Sequence, residues 1–549
     1  MPAKLFTTPK KSPDMQTLKR LSFFLALSLI FWTCTPKTGQ KTTETAPQPP
    51  TPPAVEEPAK VENTAENDGI IEVIFLQIND VYEIAPLQGG KVGGVARLAT
   101  LYQQLKEENP NTLFVLSGDF LSPSLLGTLK YQGNRIKGRQ MVEALNAAGL
   151  QVAIFGNHEF DLKEGELQAR LNESGFMWVA TNVRHMVNGK PEPFYKETGG
   201  EKRQLPTAFI WEVRDADGTT ANIGLFGVTI NSNPKDWVYY SDPFQAAQDA
   251  AAKLEPVANV VVGLTHLELV QDLKLAGMLP QVPLLMGGHD HDNSIDTVGS
   301  VIVAKADANA KTAYVHRMKI NTHTGEVFLR SELVPVTAAI PDDPGVKGIV
   351  DKWQRIQDEI IGQVVDDPYA VVYHTDVPLD GRESSIRNGQ TNLGAFIAAA
   401  MANAAKKPVD GAIFNSGGVR IDDQLQGDIL AIDWFRVLPF GGQLWEIDIR
   451  GSLLQKVLDI GQENKGTGGY LQWHDIQPGP GGWLIKGQPL EPDHVYHIIL
   501  NDFLLSGHET GLGFFTEEHP DVLKVDKPAS GEDARYDVRK AVIMWSRRF

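Results

Sequence analysis

The chain has 549 residues, 42% hydrophobic and 22% charged, a globular composition too long for one core, so two folded domains with accessory segments are expected. The net charge of −17 deepens once residues 1–33 are set aside, because they hold five basic side chains against Asp14 alone. Such acidity excludes a general binder of nucleic-acid polymers or anionic membranes, and an anionic substrate would need local positive charge from metals or clustered arginines.

At the N-terminus, Lys19-Arg20 precede the apolar stretch Leu21–Trp32, which has a signal-peptide layout and is short for a membrane span. The stretch ends at Cys34, the only cysteine of the chain and so without an internal disulfide partner. The position suits a lipidated cysteine, which makes 1–33 a lipoprotein-type signal peptide, although Phe31-Trp32-Thr33 is bulkier than is usual there. A free thiol in a leader processed otherwise is the alternative. With lipid on Cys34, the protein is exported and membrane-anchored, facing the periplasm or the cell surface. Residues 34–69, with Pro-Gln-Pro-Pro-Thr-Pro-Pro, hold almost nothing to bury and are expected to form a disordered tether.

From Ile70, short apolar runs alternate with helical patterns. The runs Ile71–Ile78, Leu113–Leu116, Val152–Phe155, Ile223–Val228, Val260–Leu264 and Leu284–Met286 are too apolar for strands with one wet face, so central strands covered on both sides are expected. Val95–Glu108, Gly138–Ala148 and Phe244–Glu255 read as helices. Polar motifs begin at the runs' carboxyl ends, where loops of an open α/β sheet converge. In order these are Asn79-Asp80-Val81-Tyr82, Ser117-Gly118-Asp119, Gly156-Asn157-His158-Glu159-Phe160-Asp161, Leu264-Thr265-His266 and Gly287-Gly288-His289-Asp290-His291. Near Ile340–Pro344 the pattern breaks, and one amphipathic helix, about 346–361, leads into a segment with strands near 411–414, 443–449 and 495–500 and a helix near 392–405.

A di-metal phosphoryl centre needs a bridging carboxylate, several imidazoles and further oxygen donors. Asp119 suits the bridge, Asp80 a terminal ligand, Asn157 a neutral oxygen, and His266, His289 and His291 the imidazoles. Gly287-Gly288 would allow the turn that lets the two nearby histidines face different metals. In the second segment, arginines beside glycine-rich loops (Arg387, Arg420) suit phosphate oxygens, and Phe440 and Phe503 could stack a base.

The ordered set resembles the calcineurin-like metallophosphoesterases and, within them, the 5′-nucleotidase family, from Ile70 onward. The resemblance implies an α/β fold, α+β overall: a four-layer α/β/β/α domain over 70–340, a linker helix over 341–363 and a mixed α/β substrate-binding domain over 364–549. It implies two metal ions (Mn, Zn, Mg or Fe), one held by Asp80, Asp119 and His291, the other by Asp119, Asn157, His266 and His289. His158 becomes the catalytic imidazole, Asp161 its orienting carboxylate, and Glu159 a support that accepts from a ligand histidine. Where the family pattern has Asp-x-His this chain has Asp80-Val81-Tyr82, so Tyr82 either ligates an iron or only packs and hydrogen-bonds nearby. By the same resemblance Arg387, Arg420 and Asn415 contact phosphate or ribose, and Phe440 and Phe503 stack the base. Glu509 falls where the family often has a ribose-binding aspartate. The implied activity is removal of phosphate from nucleotides by in-line attack of a metal-activated hydroxide. A 2′,3′-cyclic-nucleotide phosphodiesterase or nucleotide-sugar hydrolase is the alternative within that class. A surface nucleotide-binding protein on a degraded scaffold is the alternative outside it.

Overall fold

The apolar runs divide between two stacked six-stranded sheets. In the computed structural model, which describes residues 67–232 and 234–549, the first sheet runs Val327–Pro335, Thr312–Asn321, Ile70–Ile78, Thr112–Leu116, Val152–Ile154, Met177–Val179. Its last four strands are parallel. The second runs Ala208–Arg214, Thr220–Thr229, Val260–His266, Leu284–Gly287, Val301–Lys305, Ser294–Val298, with its four inner strands parallel. The signal peptide, Cys34 and all of the 34–69 tether except its last three residues lie outside the described residues.

Alternation along the first strand explains the layering. Ile71, Val73 and Phe75 point into a core shared with Ile223, Val262 and Leu264 of the second sheet. Ile74, Leu76 and Ile78 point the other way, into helices Val95–Glu108 and Arg139–Ala148. Helices Pro243–Leu254 and Leu269–Met278 cover the opposite outer face through Ala247, Ala251 and Leu275. Both faces of each inner strand are therefore dry, as continuous apolar runs require, and the domain has the four layers α/β/β/α.

Polar side chains pin the two sheets together at the carboxyl ends of the parallel strands. Ser117 Oγ donates to the Met286 carbonyl at 2.7 Å, and Thr229 Oγ1 to that of Phe155 at 2.5 Å. The fully buried Gln77 amide donates to the Gly287 and Ala304 carbonyls at 3.0 and 2.8 Å. These bonds bring motif loops from separate sheets to one end.

Helix Pro344–Ile361 is capped by Asp343 and buries Val346, Val350, Trp353, Gln357 and Ile361, one stripe at helical spacing. It packs on the Val95–Glu108 and Arg139–Ala148 helices. Beyond it lies a five-stranded sheet in the order Leu471–His474, Gly411–Asn415, Val495–Asn501, Leu444–Arg450, Val522–Asp526. Helix Asn392–Ala404 covers it, and both halves belong to one compact unit. No helix of the described residues is long and apolar enough to cross a membrane.

Gln77 also sets the state of a buried histidine. Its amide nitrogen is spent on carbonyls, so its oxygen accepts from His316 Nε2 at 2.8 Å, and His316 Nδ1 accepts from Ser331 Oγ at 2.7 Å. Burial pushes the His316 pKa down to about 3. The unfolded chain takes up this proton near pH 6.5 and the folded one only near pH 3, so stability from this site is lost as pH falls through that window. In His316→Gln the unfolding temperature should start lower at about pH 7 and fall less on acidification to about pH 5 than in the wild type. Differential scanning calorimetry across that range checks it; parallel slopes would refute it.

Candidate metal centre

Four of the motif residues adopt left-handed backbone: Asp80 (φ 52°), Asp119 (φ 56°), His289 (φ 86°) and His291 (φ 64°). Side chains with Cβ rarely take this conformation, and it costs free energy that the surroundings must supply. Glycines make the close approach possible. A Cβ on Gly156 would stand 2.1 Å from Asp119 Oδ1, and one on Gly288 would stand 2.5 Å from the Ser117 carbonyl oxygen.

The histidine tautomers follow from their neighbours. His266 Nδ1 donates to the Ser117 carbonyl at 2.8 Å, which leaves Nε2 to face Asp119 Oδ2 at 3.0 Å and Asn157 Oδ1 at 3.1 Å. His291 Nδ1 donates to the Asp422 carbonyl at 2.8 Å, so its Nε2 faces Asp80 Oδ1 at 3.4 Å and the Tyr82 hydroxyl at 3.1 Å. Lone pairs that converge on carboxylate and amide oxygens call for a cation between them. Ligating atoms of Asp119, His266 and His289 all lie within 4.8 Å of one another, and buried Asp80 Oδ1 has no hydrogen-bond donor among the described residues. Nitrogen and carboxylate donors in this number fit a divalent transition metal.

Tyr82 is buried, with its hydroxyl 3.3 Å from Asp119 Oδ2. Burial and then the Asp119 and Asp80 carboxylates hold its pKa well above the usual phenol value. The phenol hydrogen-bonds within the cluster.

Glu159 differs from expectation. Its carboxylate accepts from no ligand histidine but from four backbone amides, those of Asp119 (2.9 Å), Phe120 (2.8 Å), Leu121 (3.1 Å) and Gly156 (2.6 Å). It ties the Ser117–Asp119 loop to its own, and burial together with the Asp119 charge still pushes its pKa up to about 7. His158 donates from Nδ1 to Asp161 Oδ2 at 2.9 Å. Burial alone would lower its pKa, but the Asp119 and Asp161 carboxylates outweigh that and push it up to about 10.

A cavity of about 630 Å³ opens over this cluster. Asn157, His158, Asp161, His289 and His291 form one wall, and Glu383, Arg387, Arg420 and Asp422 from the C-terminal half form the other. Arg420 Nη2 donates to Asp161 Oδ2 at 2.7 Å, and Glu383 pairs with Arg387 and, at 3.5 Å, with Arg420. A second cavity of about 510 Å³ is lined by Asn415, Phe440 and Phe503 and shares Gly417 with the first. Both rings are well exposed, at 57% and 44%. Glu509 lines neither cavity; it is buried and accepts from the Thr510 amide at 2.8 Å.

Three residues escaped the sequence reading. Asp422 and Glu383 carry no local signal. Lys305 does: it is a lone cation ending the apolar strand Val301–Lys305. Fully buried, its Nζ donates to the carbonyls of Leu267 (2.6 Å) and Gly288 (2.8 Å) and pairs with Asp272 (2.8 Å) and Asp290. It thus braces the loops of both His266 and His289.

Fold and cluster together define a metal-dependent phosphoester hydrolase. Residues 74–293 match the calcineurin-like phosphoesterase family and residues 371–517 match the 5′-nucleotidase C-terminal domain. The chain belongs to the 5′-nucleotidase family that joins these two domains. It is 26% identical over 481 residues to the 5′-nucleotidase of Bos taurus, covering 76% of this chain and 78% of that one. Among solved structures it resembles a 5′-nucleotidase precursor from Thermus thermophilus, with TM-score 0.60, 21% identity and coverage of 87% and 96%. The fold is shared with a sulfate thiohydrolase of the same genus, with TM-score 0.58, 16% identity and coverage of 87% and 94%.

Replacing Lys305 by Met should leave the apolar stem but release both histidine loops. Metal affinity should fall about 10- to 100-fold, read by chelator competition and metal analysis. Unchanged metal content against the chelator would refute the bracing role.

Proposed function

We propose that the protein releases phosphate from nucleotides at a two-metal centre. Asp80, Asp119 and His291 would hold one ion, and Asp119, Asn157, His266 and His289 the other, with Asp119 shared. Bound there, the metals would supply a water of lowered pKa and neutralise charge on the phosphoryl oxygens. The observation that carries the reading is the His158 ring, held by Asp161 on the cavity wall beside the donor cluster.

The residues then divide the work. As water adds to phosphorus and the ester bond breaks, His158 is placed to stabilise the phosphoryl oxygens or to give its Nε2 proton to the leaving oxygen. Asp161 accepts from Nδ1 and orients the ring, and its charge, after that of Asp119, raises the imidazole pKa. Arg387 and Arg420 offer guanidinium donors to phosphate, and Phe440 and Phe503 offer faces to a base, with Asn415 beside them for the ribose. Tyr82 hydrogen-bonds at the shared carboxylate. The basic-then-apolar start of the chain, ending at Cys34, supports export and a lipid anchor.

Phosphate release from a nucleotide panel by the purified protein, supplied with Mn²⁺, Zn²⁺, Mg²⁺ or iron, tests the reading; no release with any metal would end it. His158→Ala should lower kcat by about 10²- to 10⁴-fold with nucleotide binding largely kept. Phe440→Ala should raise KM for a nucleoside monophosphate by about tenfold, the loss of one stacking face. Hydrolysis of p-nitrophenyl phosphate, which has no base, should be unaffected, and an equal loss for both substrates would remove Phe440 from base recognition.

A further inference from the structure

Glu383 occupies a place that a phosphate would want. It begins the short helix Glu383–Ile386, where its backbone N–H donates to Asp422 Oδ1 at 2.7 Å. From that anchored position its carboxylate Oε1 pairs with the Arg387 guanidinium and lies 3.5 Å from Arg420 Nη1. All three side chains line the cavity over the metal-ligand cluster. Both arginines retain a buried Nε–H with no acceptor among the described residues.

The charges alternate across this wall. His158 pairs with Asp161, Asp161 with Arg420, Arg420 with Glu383, and Glu383 with Arg387. A carboxylate between two guanidinium groups makes the charge-assisted contacts a phosphoryl group would make. It also removes one unit of positive charge that a dianionic phosphate monoester would need, and that a monoanionic diester needs less.

We propose that Glu383 is a built-in competitor for the phosphate seat of Arg387 and Arg420, and that it sets the charge class of the substrate. A dianionic monoester or free phosphate must displace the carboxylate by side-chain rotation, because Asp422 holds the backbone. The protein therefore binds dianionic phosphate more weakly than its two arginines alone would allow, and product phosphate leaves more readily. This rests on the reading of the two arginines as phosphate contacts.

The test compares wild type, Glu383→Gln and Glu383→Asp, each as the full chain with the same metal loading. Calorimetric titration with inorganic phosphate should show about tenfold tighter binding in Glu383→Gln, the expected scale for removing one neighbouring charge at a partly screened site. KM for a nucleoside 5′-monophosphate should drop by a similar factor, while KM for bis(p-nitrophenyl) phosphate, a monoanionic diester, moves much less. Glu383→Asp keeps the charge and should stay near the wild type. Unchanged or weaker phosphate binding in Glu383→Gln would overturn the proposal, as would an equal shift for monoester and diester, or an Asp variant that behaves like Gln. If phosphate binding tightens but no variant hydrolyses nucleotides, the nucleotide reading fails and the role of Glu383 stands.

Discussion

The Glu159 carboxylate is the point on which the centre depends. Two oxygens accept four backbone N–H groups from two loops, in a site closed to water. Those amides belong to the residues that must turn sharply so that Asp119, at positive φ, can point back toward Asn157 and His266. Buried amides left unmet would each cost about 1–3 kcal/mol, so the carboxylate makes the strained turns tolerable. Lys305 performs the complementary task on the second sheet, where its ammonium satisfies the carbonyls of Leu267 and Gly288. One buried anion gathers N–H groups and one buried cation gathers C=O groups. Between them the loops of both sheets are held at a fixed spacing.

The cavity above is made by two domains, and their contacts reach the centre itself. The proton on His291 Nδ1 is taken by the carbonyl of Asp422, a C-terminal residue at φ 42°, and the orienting carboxylate Asp161 is shared with Arg420. Further out, Lys311 pairs with Asp423, and Arg436 with Glu83. The orientation of one proposed ligand and the charge beside the His158 ring therefore depend on the C-terminal half. These few bonds join the metal-ligand cluster to the C-terminal half.

Much of this was legible in the chain. Apolar runs longer than a half-wet strand tolerates marked the inner strands, and the polar motifs at their ends marked the centre, because a buried strand has nowhere else to place Asp, Asn and His. The division of the runs between two sheets follows from alternation, as with Ile71 and Ile74 on opposite faces of one strand. The place of Glu159 differs from the sequence expectation for a physical reason. An acid inside a metal motif looks like a partner for histidine, whereas its oxygens are satisfied by the amides of Asp119, Phe120, Leu121 and Gly156, whose direction depends on turns that residue identity alone does not set. Glu383 and Asp422 gave no signal, since an acid beside an arginine is common on any surface.

The sequence by itself determined the class of chemistry, a metal-dependent phosphoester hydrolase, and marked the Asp, Asn and His residues that could hold metal. Tertiary structure decided how those groups are spent. It turned Tyr82 into a hydrogen-bonding neighbour of Asp119 and His291, placed the Phe440–Phe503 slot beside the metal cavity and left Glu509 outside both. It also set a carboxylate between the two arginines. The reason is distance: charge and hydrogen bonding act over a few ångströms, and only the folded backbone brings Arg420 to Asp161 across 259 residues of chain.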